Sequence, residues 1–274
     1  MLVDTRLGRL FVEERGEGEP LFLWHSLLCE GSMWRYVVPR LSERYRVINV
    51  DAPGHGRSQR MTRRFTLEEC ADAAVELYRA LGIDDAHWVG LSFGGMVGMR
   101  LALAHPERVR SLALLDTSAA PEVLKKLPKY HALAFIARRF GPVPALLDRI
   151  VPVFFTARSI AERRDDLIEP FRAHLARMDP ESLGHCVDAV IFERRDLRDR
   201  LSRIRQPTLV LIGEADVATP IERAREIADG IPDARLVRIP NAAHLSALEQ
   251  PEAVTEQLFL HLARAAAADA ALAS

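Results

Sequence analysis

The sequence predicts an α/β fold with a mostly parallel sheet, and three observations lead to that prediction. Short apolar runs, typical of strands buried on both faces, alternate with amphipathic helical stretches. The length of 274 residues exceeds the usual single-domain size of about 100–200 residues, so one large domain with an insertion fits. Residues 121–203 break the alternation, since they hold seven prolines and almost no strand-like run.

The predicted strands are apolar runs too short to be helices. A more amphipathic run, Arg9–Glu13, is predicted to form an outer antiparallel strand. The runs predicted to form the parallel part of the sheet are Pro20–Trp24, Arg46–Asp51, Ala86–Gly90, Val109–Leu115, Thr208–Ile212 and the weaker Arg235–Ile239.

Two helix starts are marked by capping signals. Thr66 and Glu69 have the spacing of a capping box, an apolar stripe follows at helical spacing, and Gly82 is predicted to end that helix. Thr219 and Pro220 predict a second start, with proline at the first helical position.

Charge and composition narrow the range of partners. Lys and Arg number 37 and Asp and Glu 38, so the cationic excess needed for nucleic acid is missing. No apolar run approaches the ~20 residues of a membrane span, and the charged N-terminus does not fit a secretory signal. The scattered Cys29, Cys70 and Cys186 are interpreted as reduced thiols. We therefore expect a cytoplasmic protein that uses no metal, cofactor, nucleic acid or membrane, and assembly into a homo-oligomer stays open.

The segment Gly90–Gly94 has the spacing Gly-x-Ser-x-Gly between a predicted strand and a predicted helix. This is the context of a nucleophile elbow, in which a strained turn exposes a serine hydroxyl. The helix N-terminus behind such a turn stabilises negative charge. Ser92 is therefore the candidate nucleophile.

A serine hydroxyl needs a base, and the base needs an orienting carboxylate. Asp216 follows the strand Thr208–Ile212, and His244 follows the strand Arg235–Ile239, in the expected chain order. Glu214 is an alternative acid two residues earlier. Asp216 and His244 are thus the candidate acid and base.

The tetrahedral intermediate needs two amide donors. One is predicted to be the N–H of Phe93, and the other the N–H of Leu27 in the loop after the strand Pro20–Trp24. His25 and Ser26 are interpreted as supports of that loop.

Taken together, these features resemble the α/β-hydrolase superfamily over nearly the whole chain, and within it the 3-oxoadipate enol-lactonase-like serine hydrolases. The matching features include His25-Ser26, the turn from Asp51 to Ser58, the elbow, and Ser26-Leu27 followed by Met33-Trp34. The resemblance implies an α/β-hydrolase fold: a mostly parallel eight-stranded sheet flanked by helices, with a helical cap inserted after strand six. It divides the chain into a core of residues 1–120 and 204–274 and a cap of residues 121–203.

The resemblance also implies the roles of the candidate residues. Ser92 is expected to be the nucleophile, Asp216 the acid and His244 the base, and Trp34 is expected to contact the substrate. The sequence differs from the subgroup at Leu28, where glycine is usual.

The predicted function is hydrolysis of a carboxylic ester or lactone through an acyl-enzyme, without a cofactor. Hydrolysis of a C–C bond, perhydrolysis without a cofactor, and slow turnover by a ligand receptor are alternatives that use the same three residues. Residues 121–203 hold 16 Lys and Arg against 12 Asp and Glu, and this cationic excess has two interpretations. It either steers anionic substrates to the site or is the solvated charge of short exposed helices. Arg138 and Arg139 are the candidate contacts for the anion.

Overall fold

In the computed structural model, which describes residues 1–141 and 143–272, one eight-stranded sheet forms the centre of the molecule. The strand order is β1-β2-β4-β3-β5-β6-β7-β8. Pairing is antiparallel at β1–β2 and β2–β4 and parallel at every later pair. The strands are β1 (Leu2–Thr5), β2 (Gly8–Arg15), β3 (Glu19–Trp24), β4 (Tyr45–Val50), β5 (Ala86–Leu91), β6 (Val109–Leu115), β7 (Thr208–Gly213) and β8 (Ala234–Ile239).

Helices cover both faces of this sheet, as expected when parallel strands are connected by crossovers. The helices outside the segment 121–203 are α1 (Val38–Leu41), α2 (Leu67–Ala80), α3 (Phe93–Ala104), α9 (Ile221–Gly230), α10 (Ser246–Glu249) and α11 (Pro251–Leu272). Between β6 and β7 lie α4 (Leu127–Phe140), α5 (Pro144–Phe154), α6 (Ala157–Ala161), α7 (Asp165–Arg177), α8 (Pro180–Val187) and a π-helical turn (Asp188–Phe192). We call residues 121–203 the helical insertion.

The core consists of two buried layers, one on each side of the sheet. Alternate residues of β3 point to opposite faces, so Phe22 and Trp24 belong to one layer and Leu21 and Leu23 to the other. Both layers continue into the helical insertion, which contributes buried apolar side chains to each of them. None of the described helices is long and apolar enough to cross a membrane.

The predicted fold class is confirmed, and the capping box at Thr66 and Glu69 is present in full. Two expectations are corrected. Residues 2–5, interpreted only as a charged terminus, form the edge strand β1. The helix expected to begin at Pro220 begins at Ile221, with Pro220 preceding it and no side-chain cap. The Thr219 hydroxyl has another partner, described below.

Candidate active site

Ser92 lies in a sharp turn between β5 and α3. Its backbone has φ 53° and ψ −106°, a conformation that side-chain-bearing residues rarely adopt. The turn closes because Gly90 and Gly94 lack side chains. A Cβ on Gly90 would lie 2.2 Å from the carbonyl of Gly94, and one on Gly94 would lie 2.1 Å from the carbonyl oxygen of Trp24. This close approach explains the glycine spacing of the predicted elbow.

The end of β6 holds this turn in place. The Ser92 N–H donates to the Leu115 carbonyl at 2.8 Å, and the Thr117 hydroxyl donates to the Ser92 carbonyl at 2.7 Å. Phe93 is the first residue of α3, so its N–H has no acceptor in its own helix. The structure therefore places that amide beside Ser92, where the sequence predicted an oxyanion donor.

His244 and Asp216 form a buried pair, and His244 lines the same cavity as Ser92. The His244 Nδ1 and Asp216 Oδ2 atoms are 2.9 Å apart, and both residues are almost fully shielded from solvent. With its proton on Nδ1, the neutral imidazole carries its lone pair on Nε2, the arrangement that a general base needs. Glu214 instead lies at the surface, 3.0 Å from the Arg238 guanidinium. The geometry therefore favours Asp216 as the partner of His244.

Three donors orient the Asp216 carboxylate. Oδ1 accepts the N–H groups of Ala218 and Thr219 at 2.8 and 3.0 Å, and Oδ2 accepts the Thr219 hydroxyl at 2.7 Å. Sequence reasoning assigned Thr219 to a helix start and missed this role. The signal was available, since threonine three residues after an aspartate often closes a local side-chain to backbone turn.

The surroundings set the basicity of His244. Burial lowers the pKa of His244, but the Asp216 carboxylate outweighs burial, and the net pKa lies above the ordinary value of 6.5. A carboxylate beside an imidazole favours the protonated ring, which is the form produced when the base accepts a proton. The pair thus stabilises the imidazolium without solvent.

A second buried carboxyl group, Asp116, connects the loops that carry Asp216 and His244. Its Oδ1 accepts the N–H of Gly213 at 2.8 Å, and its Oδ2 lies 2.5 Å from the Ser246 hydroxyl. Burial and the nearby Asp216 raise the pKa of Asp116 to about 8. The sequence signal for Asp116 was the same as for Asp216, a carboxyl residue directly after an apolar strand.

Two neutral histidines support the loop after β3. His25 Nε2 accepts the N–H of Ala52 at 2.8 Å, and its Nδ1 lies 2.7 Å from the Ser26 carbonyl oxygen. Burial lowers the pKa of His25 to about 4 and places the pKa of His55 well below its ordinary value. His55 Nε2 in turn accepts the N–H of Leu28 at 3.4 Å. These contacts agree with a supporting role for His25.

Leu28 has φ 67°, in the left-handed region that favours glycine. This conformation explains why glycine suits that position in the resembled subgroup. Leu27, the preceding residue and the predicted second oxyanion donor, lines the cavity described next.

Ser92, His244, Leu27 and Thr219 line one cavity of about 200 Å³ between the sheet and the helical insertion. Its walls are mainly apolar. The insertion contributes Leu133, Ala134, Ala137, Leu146, Ile150, Val153, Phe154, Leu175, Leu183, Val187, Val190 and Ile191.

The structure does not bring Trp34, Arg138 or Arg139 to this cavity. Trp34 is fully buried in the core layer that holds Leu21 and Leu23. Arg138 donates to the Gly184 carbonyl at 2.9 Å and pairs with Asp188, whereas the exposed Arg139 lies over the Phe140 ring. None of these three side chains lines the cavity, so the structure does not support the expectation that they contact a substrate there.

Four other charged side chains line the cavity. Arg194 and Glu122 are nearly buried and lie 3.4 Å apart, so they neutralise each other. Lys129 and Arg149 are exposed at the cavity, and neither lies within ion-pair distance of a carboxylate in the part of the chain that the structure describes. The sequence had located a cationic excess in the insertion but not the side chains that face the cavity.

Fold and site together define a class of proteins. Residues 19–251 match the family described by the alpha/beta hydrolase fold, and the chain belongs to that family. It is 32% identical over 251 residues to RutD of Azorhizobium caulinodans, named as a candidate carbamate hydrolase, covering 91% of this chain and 93% of RutD.

Two solved structures agree with this placement. A thermophilic esterase of Thermogutta terrifontis superposes with a TM-score of 0.89 at 30% identity, covering 97% of this chain and 98% of the esterase. The enol-lactonase of Burkholderia xenovorans gives a TM-score of 0.88 at 30% identity, covering 96% and 100%. The predicted resemblance to enol-lactonase-like hydrolases is thereby confirmed.

Proposed function

We propose that this chain hydrolyses a carboxylic ester or lactone through an acyl-enzyme on Ser92. The observation that carries the proposal is the buried His244–Asp216 pair on the same cavity as a serine held in a strained elbow. The similarity to a named esterase and a named enol-lactonase supports this reaction class.

In the proposed reaction, His244 Nε2 takes the proton of Ser92 as Oγ attacks the substrate carbonyl carbon. The N–H groups of Phe93 and Leu27 stabilise the oxyanion that forms. His244 then returns the proton to the leaving alcohol oxygen, which in a lactone stays attached to the acyl chain. Water, deprotonated by the same imidazole, then attacks the acyl-enzyme carbonyl carbon. The bond between that carbon and Ser92 Oγ breaks, the imidazolium returns its proton to Oγ, and the acid is released.

A panel of short- and medium-chain p-nitrophenyl esters and lactones tests this proposal on the purified protein. Sustained turnover beyond one equivalent of enzyme supports a hydrolase. A single burst without further product would indicate a ligand receptor that acylates once, and no reaction with any ester or lactone would refute the proposal.

The pH dependence of kcat/KM is expected to follow the titration of His244. Since the neutral imidazole is the base and its pKa is raised by Asp216, kcat/KM should rise with pH through a midpoint above 6.5. Initial rates of ester hydrolysis from about pH 5 to pH 9 measure this midpoint. A flat profile under conditions where chemistry limits the rate would contradict the assignment of the base.

We further propose that the preferred substrate carries a negative charge away from the scissile bond. Lys129 and Arg149 are the cavity cations without a carboxylate partner among the described residues, and the remaining walls are mainly apolar. An apolar chain with an acidic end complements this arrangement, and the helical insertion then acts as the cap that selects it.

Neutralising these two cations tests the preference. For each of the variants Lys129→Gln and Arg149→Gln, we expect kcat/KM for mono-p-nitrophenyl adipate to fall about fivefold. This fall corresponds to roughly 1 kcal/mol, the interaction energy of two opposite charges at a solvated site. Turnover of neutral p-nitrophenyl hexanoate should stay unchanged. Arg139→Gln is the matched control, because Arg139 lies on α4 but outside the cavity. A wild-type preference for the neutral ester at low salt would contradict the proposal.

A further inference from the structure

The side chain of Glu249, at the end of α10, has an unusual set of partners for a buried carboxyl group. It is only 5% exposed, and four donors surround it. Oε1 accepts the N–H and hydroxyl of Thr156 at 2.9 and 2.8 Å and the hydroxyl of Ser159 at 2.6 Å. Oε2 accepts the N–H of Ala243 at 2.7 Å. Burying a carboxylate is costly unless its oxygens are satisfied in this way.

The two oxygens serve different parts of the molecule. Ala243 immediately precedes His244, so Oε2 fixes the peptide group that leads into the base. Thr156 and Ser159 belong to the helical insertion, where Thr156 caps the start of α6. Glu249 therefore joins the histidine loop of the core to the junction between α5 and α6.

The same junction also contacts the residue that follows His244 and the His244 ring itself. The N–H of Leu245 donates to the carbonyl of Phe154, the last residue of α5, at 3.2 Å. The Phe154 ring meets the His244 ring edge-on, with centroids 5.2 Å apart and planes at 87°. The residues before and after His244 are thus both held, directly or through Glu249, by the α5–α6 junction.

We propose that Glu249 is a positioning residue that fastens the helical insertion to the His244 loop, so that the seating of the insertion sets the orientation of the imidazole toward Ser92 and Asp216. This inference rests on the proposed function. It gives the insertion a part in the chemistry beyond shaping the cavity. Positioning errors of about 1 Å are known to cost up to 10²-fold in rate, which sets the scale of the expected effect.

Glu249→Gln is the first test. A glutamine amide cannot accept at both ends, so either Ala243 or the Thr156–Ser159 side loses its acceptor. We expect kcat to fall roughly 10- to 100-fold with KM nearly unchanged. The pH midpoint of kcat/KM should move down toward 6.5, because a looser ring interacts less with Asp216. Glu252→Gln, an exposed glutamate in the first turn of α11, is the matched control and should change neither quantity.

A second variant separates the insertion from the core. Thr156→Val combined with Ser159→Ala removes the hydroxyl donors on the insertion side and leaves the bond to Ala243 intact. A fall in kcat in this variant supports coupling through the insertion. If Glu249→Gln does not fold, this double variant still tests whether the insertion positions His244 through Glu249.

Nitrogen-15 NMR of the His244 ring provides a readout that needs no turnover. The titration midpoint and tautomer of His244, assigned by difference from His244→Gln, should change in both Glu249 and insertion variants. If the wild-type chain hydrolyses no ester, the proposed function fails while this measurement still decides the positioning role. Folded variants with reduced thermal stability but unchanged His244 resonances and kcat would show that Glu249 is only structural, and would overturn the inference.

Discussion

Replacement of Ser92 by alanine is expected to abolish ester hydrolysis, with a loss of about 10⁶-fold in kcat. The loss follows because no other group replaces the Ser92 hydroxyl at the elbow, so the acyl-enzyme cannot form. Steady-state rates on the most reactive p-nitrophenyl ester measure the effect. Ser118→Ala is the control, because Ser118 is buried and does not line the cavity, and this variant should retain wild-type turnover.

Covalent labelling provides a second, direct test of Ser92 as the nucleophile. Intact-mass spectrometry after treatment with a fluorophosphonate should show one adduct on the wild-type chain and none on Ser92→Ala. Ser26 also lines the cavity, so peptide mapping is needed to identify the labelled serine. An adduct on Ser26, or substantial activity in Ser92→Ala, would refute the assigned nucleophile.

Replacement of Asp216 by asparagine is expected to lower kcat by about 10⁴-fold while the protein stays folded. The position of Oδ1 must remain an oxygen, because it accepts the N–H groups of Ala218 and Thr219. The amide NH₂ therefore takes the Oδ2 position and faces Nδ1 of His244. The imidazole then has to accept there and carry its proton on Nε2, where the base needs its lone pair.

Glu214→Gln is the matched control for this variant. Glu214 lies two residues away at the surface, paired with Arg238, and its neutralisation should change kcat by no more than about twofold. Nitrogen-15 NMR should show the change of tautomer in Asp216→Asn only. The opposite ranking of the two variants would transfer the role of the acid to Glu214.

Local patterns predicted the features that depend on neighbours in sequence. The capping box at Thr66 depends on a residue three positions away, and the elbow depends on glycines two positions either side of Ser92. Apolar runs predicted the buried strands because a strand covered on both faces needs no polar residue. The chain order of Ser92, Asp216 and His244 could be predicted because strand ends of a parallel sheet meet at one edge.

Side-chain destinations within the insertion could not be predicted in this way. Charge counting located a cationic excess there, but Arg138 is directed to Gly184 and Asp188, while Lys129 and Arg149 face the cavity. Thr219 fitted a helix start equally well by pattern, and only the fold shows that its hydroxyl serves Asp216. At such positions tertiary contacts, and not the local preference of the sequence, determine the role of the side chain.

The sequence by itself determined the parallel sheet, the elbow at Ser92 and the identity of the candidate acid and base. The tertiary structure alone decided which cations reach the cavity and that Asp116 bridges the loops of Asp216 and His244. It also decided that Glu249 joins the insertion to the loop that carries His244. The physical reason is the range of the interactions. Periodicity and capping act within a few residues of the chain, whereas Glu249 meets Thr156 across a separation of 93 residues, which no local pattern encodes.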